Sequence, residues 1–107
     1  MEFYELRQYQ IRPGCMDEWL ELMENEILPR QVACGMIIAG SFRGESDESV
    51  YVWLRRFNSE AEREAQYAAF YESEHWKTVL SPRVGELIDR ETISVQRIVP
   101  TRLSVLK

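Results

Sequence analysis

The sequence predicts an α+β domain: a four-stranded antiparallel sheet with two helical regions packed on one side. Three observations carry that expectation. Hydrophobic spacing alternates between a period of two and helical spacing along 107 residues. The element order that results is β-α-β-β-α-β, for which connection rules leave few topologies. No repeat, low-complexity tract or linker interrupts the chain, so residues 1–107 are expected to form a single domain.

The elements follow in order. Residues 2–11 predict a strand, with Tyr4 and Leu6 alternating against Glu5, Arg7 and Tyr9. Pro13-Gly14 breaks it. Over 16–28, Met16, Trp19, Leu20, Met23, Ile27 and Leu28 form one helical stripe, with Asp17 and Glu18 in the dipole-favoured first turn. Pro29 is expected to end or kink this helix, and Gly35 to close the connection. Residues 36–43 and 50–57 predict two strands of a hairpin joined by the polar run Gly44–Ser49. Ser59 and Glu62 make a capping box before an Ala-rich helix reaching about Tyr71. Ser73 is placed to cap a new turn bearing His75 and Trp76, and Pro82 suits the start of a short helix with Val84, Leu87 and Ile88. Residues 91–99 alternate once more and stop at Pro100. The tail, with Leu103, Val105 and Leu106, is apolar enough to dock. The order is the ferredoxin-like split pattern.

Composition narrows the function. There are 13 Lys+Arg against 18 Asp+Glu, a formal charge of −5. A nucleic-acid binder needs a basic footprint, and an anionic membrane surface attracts the same charge, so neither partner is expected. Cys15 and Cys34 form no disulfide framework and are expected to be reduced and packed. No apolar run is long enough to cross a membrane. A strand-like segment directly after Met1 leaves no room for a leader, so the chain is expected to be cytoplasmic or a fragment that has lost its leader.

The strand faces predict a partner. Val50, Val52 and Leu54 share one face of the third strand; Tyr51, Trp53, Arg55 and Phe57 share the other. Neither composition suits water, and the second strand is apolar on both sides. Tyr9, Tyr51 and Trp53 are expected on faces that a lone chain leaves open. A second copy is expected to cover them, two sheets packing into a homodimeric α+β barrel.

The run Tyr4-Glu5-Leu6-Arg7-Gln8-Tyr9 with Pro13-Gly14 resembles the opening of the NIPSNAP domain. Val52-Trp53-Leu54, Arg63-Glu64, Trp76, the stretch from Pro82 to Leu87 and the strand entering Val99-Pro100 match in order and spacing. The resemblance implies the dimeric α+β barrel architecture. Relatives at the level of that fold include cofactor-free monooxygenases, haem-degrading enzymes and isomerases, but fold alone carries no function.

Candidate chemistry is sparse. His75, the lone histidine, is the one candidate for a catalytic base or an axial haem ligand. Glu5, Arg7 and Tyr9 share a face of the first strand, and Tyr51, Trp53 and Arg55 are expected beside them if strands one and three are central neighbours. With Arg63 and Trp76, they form a candidate ligand-binding set in which Arg forks onto a carboxylate, or a structural ion-pair network. Tyr67, Phe70 and Tyr71 are further candidates to line a pocket. No cluster has metal-ligand spacing, no glycine pattern cradles a phosphate, and no cofactor is expected. The sequence therefore favours a homodimeric small-molecule binder. A cofactor-independent oxygenase or isomerase, or a haem-handling enzyme, is the alternative.

Overall fold

The computed structural model describes residues 1–107. Strand β1 (Phe3–Gln10) leads through a turn at Pro13-Gly14 into α1 (Met16–Leu22), a π-helical turn (Met23–Ile27) and α2 (Leu28–Ala33). Gly14 (φ 75°) makes the turn with a backbone that side chains disfavour. Hairpin β2 (Ile37–Arg43) and β3 (Val50–Phe57) follows. Then come α3 (Glu60–Tyr71), a second π-helical turn (Trp76–Leu80), α4 (Ser81–Leu87), a 3₁₀ turn (Arg90–Thr92) and β4 (Ser94–Ile98). The strands pair antiparallel in the order β2-β3-β1-β4, with β1 and β3 central as expected.

The capping box forms: Glu62 N donates to Ser59 Oγ at 3.1 Å, and the Glu62 carboxylate accepts from Asn58 N at 2.8 Å. Ser73 caps as expected, its Oγ accepting from Trp76 N.

Pro29 does not end the first helical region, the first of the two outcomes expected of it. The preceding turn widens instead: Leu28 N donates to Met23 O, five residues back, and Pro29 sits in the first turn of α2. The same device precedes Pro82, where Ser81 N donates to Trp76 O. A wider turn relieves the clash between a proline ring and the carbonyl four residues before it. The last strand is also shorter than its alternation suggests. Asp89 caps a 3₁₀ turn through Glu91 N, which takes up the first residues.

The register sets the faces. Phe3, Glu5, Arg7 and Tyr9 lie directly opposite Phe57, Arg55, Trp53 and Tyr51, and the helices cover this face. Trp19, Met23 and Ile27 from the first helical region and Phe70, Leu80, Val84 and Leu87 from the second join these rings in one core. Tyr9, Tyr51 and Trp53 are therefore buried within the single chain, not left for a partner. The uncovered face is the aliphatic one. Leu6, Val52 and Leu54 are half-buried there, with Ile37, Phe42 and Ile98 exposed around them. Of the tail, Leu106 lines a surface groove with Tyr4 and Leu54 but stays 45% exposed, and Leu103 and Val105 are more exposed still.

Candidate functional site

The chemistry gathers on the helix-covered face at the middle of β1 and β3. Glu5 and Arg55 are cross-strand neighbours, so their side chains rise together into the core. Arg55 Nη2 donates to Glu5 Oε1 at 2.8 Å, with Arg55 fully buried and Glu5 nearly so. Helix α3 adds Arg63 Nε on Glu5 Oε2 at 2.8 Å and Tyr67 Oη at 2.6 and 2.8 Å from the two carboxylate oxygens. Arg55 Nη1 reaches Tyr71 Oη at 2.9 Å and Gln31 Oε1 at 3.3 Å. Its guanidinium also lies over the Trp53 and Tyr67 rings, 4.6 and 4.9 Å from their centroids.

Burial raises the pKa of the Glu5 carboxyl. Hydrogen bonds from Tyr67 and Arg63 and the charges of Arg55 and Arg7 outweigh it, holding the group below its usual range. Burial pushes the Tyr67 hydroxyl up to about 12; the Arg55 charge opposes this and the bond to Glu5 adds to it. The buried Tyr9 hydroxyl is raised too, first by desolvation.

Beside this network a cleft of about 320 Å³ opens between sheet and helices. Arg7, Tyr9, Tyr67, Tyr71 and Trp76 line it together with Val84, Ile88, Arg90 and Ile93. A smaller pocket of about 20 Å³ adjoins it, sharing Tyr9, Tyr71, Trp76 and Val84. Trp19, Met23, Ile27, Gln31 and Trp53 complete its lining. Met23, Ile27 and Trp76 belong to the two π-helical turns, so both irregularities border the site.

The sequence-predicted residues divide as follows. Arg7, Tyr9 and Trp76 line the main cleft, and Trp53 lines the inner pocket. Glu5, Arg55 and Arg63 form the ionic network behind it. Tyr51 is wholly buried, bonded to Ser41 and packed edge-on against Trp19, so it lines neither space. His75 precedes Trp76 but is absent from both linings. Tyr67 and Tyr71 do line the cleft, while Phe70 belongs to the core. Gln31, Ile88, Arg90 and Ile93 were not foreseen. Gln31 stands one turn beyond Ile27, a spacing that extends the apolar stripe with a buried amide. No group of three or more His, Cys, Asp or Glu side chains is placed to hold a metal ion.

Comparison with known proteins agrees with this architecture. None of the curated proteins matches the chain. Among solved structures, a NIPSNAP family protein from Agrobacterium tumefaciens aligns over all of both chains, at 26% identity and TM-score 0.87. A second Agrobacterium tumefaciens protein, a NIPSNAP family member with unknown function, is 25% identical with TM-score 0.87, covering 99% of this chain and 94% of its own. An uncharacterised NIPSNAP domain protein from Burkholderia xenovorans, 20% identical with TM-score 0.82, covers 95% of this chain and 97% of its own and shares the fold. The NIPSNAP family model itself matches residues 4–104. The chain belongs to the NIPSNAP family.

Proposed function

We propose that this protein is a homodimeric α+β barrel that binds a small organic molecule in the cleft between sheet and helices. The carrying observation is the open space of about 320 Å³ bounded by Arg7, Arg90 and aromatic side chains, beside an otherwise well-filled core. A mostly apolar cleft with few polar groups is the usual form of a small-molecule site. Support for the dimer comes from the aliphatic sheet face, where Phe42 is 56% exposed and Ile37 43%. A cytoplasmic setting is part of the reading, supported by two unpaired cysteines.

Turnover has less support. An oxygenase or isomerase needs an acid–base group free to act on its ligand. Tyr67 faces the cleft, but its hydroxyl is engaged by Glu5 and its pKa is near 12. His75 lies outside the lining, which leaves a haem-ligating or basic role without a geometry.

The test is isothermal titration with 1-naphthoate and 1-naphthamide, two rigid aromatic probes. At least one should bind saturably, one per chain, and Ile93→Trp should abolish this by filling part of the cleft. Binding that is absent, or unaffected by Ile93→Trp in a folded variant, overturns the reading.

A further inference from the structure

We propose that the ligand of this cleft is an anion: a flat apolar or aromatic molecule whose carboxylate forks onto Arg7. This rests on the binding reading above and specifies its chemistry. The charges of the network are shared unevenly. Glu5 is the one acidic side chain at the centre of the network. Its oxygens are already taken, Oε1 by Arg55 and Tyr67, Oε2 by Arg63 and Tyr67.

Arg7 comes only within 3.5 Å of Glu5 Oε1, too far for a strong charge-assisted bond. Its Nε and Nη1 rest on the hydroxyls of Tyr9 and Tyr67, at 3.1 and 3.3 Å, and its Nη2 makes no hydrogen bond. Its side chain is 14% exposed, and that guanidinium borders the cleft. A mostly desolvated cation that shares its one carboxylate with two other arginines is left under-paired. No Asp or Glu lines the cleft to pair with it. Arg90, anchored on Ser81 Oγ at 2.9 Å, adds a second positive charge to the lining.

A separate observation points the same way. The indole N–H groups of Trp19 and Trp53 are buried and have no acceptor, and both rings line the inner pocket. The interior next to the cleft thus offers donors in excess. Both donors line the adjoining pocket of about 20 Å³ rather than the cleft itself, so an acceptor atom reaching that pocket would satisfy one.

The experiment compares 1-naphthoate with 1-naphthamide, nearly equal in shape and differing in charge. Wild-type protein should bind the carboxylate at least about tenfold tighter, a factor within reach of a charge-assisted fork. Arg7→Gln should bring the two affinities together, the carboxylate losing at least about tenfold more than the amide. Arg90→Gln should narrow the gap partly. Arg90 is on the surface, so this variant keeps the test decisive if Arg7→Gln fails to fold. Equal affinities in the wild type would overturn the anion inference while leaving the cleft as a binding site. A preference that survives both substitutions would also overturn it. Failure of both probes to bind would overturn the inference and the binding reading together.

Discussion

Arg55 Nη2 stands 2.8 Å from Glu5 Oε1, with 0% and 1% of the two side chains open to water. The two residues are register partners on the central strands, so the backbone itself delivers them to each other. Such a pair contributes little against a well-packed apolar replacement, but losing one partner strands the other charge. Glu5→Gln should therefore destabilise the protein by about 3–5 kcal/mol. Urea denaturation followed by tryptophan fluorescence measures this. A loss below about 1 kcal/mol would show that the network does not depend on the carboxylate charge.

The same carboxyl predicts a pH dependence. Its folded pKa lies below the usual 4.5, through the Tyr67 and Arg63 bonds and the nearby Arg55 and Arg7 charges that overcome burial. As pH falls past 4.5 the unfolded chain takes up the proton first. The contribution is therefore complete above that value and is lost as pH falls through the lower folded value. Arg63→Gln removes one cause and narrows the difference between the two states. Its stability deficit against wild type should be open at about pH 7 and close towards about pH 3. Urea midpoints across that range decide it; a deficit that stays constant with pH would count against the account.

The aliphatic sheet face predicts the assembly. Leu54 sits there in a central strand, half-buried, between Leu6 of β1 and Gly40 of β2. Leu54→Glu places a charge in the middle of the proposed interface while leaving the helix-covered core untouched. Light scattering at micromolar concentration should give twice 12.7 kDa for wild type and the single mass for the variant. A wild-type monomer would remove the dimer from the proposal.

Much of this architecture was legible in the residues, because spacing alone carries it. The two central strands, the hairpin and the Ser59 cap each rest on local chemistry that tertiary structure had no reason to override. Pro29 was misleading. A proline is judged by the hydrogen bond it removes, and a widened turn upstream supplies a way round it that no single residue announces. The faces were misassigned for a related reason. Alternation says which residues travel together, not which side the helices take, so Tyr9, Tyr51 and Trp53 looked open when Trp19, Met23 and Ile27 cover them. The site was half visible: Glu5, Arg7, Tyr9 and Trp53 could be grouped by strand period. Arg90 and Ile93 reach the cleft through a 3₁₀ turn and the residue after it, where neither period applies.

The two π-helical turns give the cleft an unusual kind of control. Each spends one residue more than an ordinary helical turn to cover the same rise. Removing one residue from Met23–Ile27 or from Trp76–Leu80 would restore regular winding. The side chains beyond would keep their facing, because the widened turn absorbs its extra residue locally. The same extra residue in a regular helix would instead rotate all that follow by about 100°. Val84 thus keeps its place at the cleft, and Gln31 its place on Arg55, despite the added residue in each helix. The shape of the ligand space is held by helical phase as much as by side-chain identity.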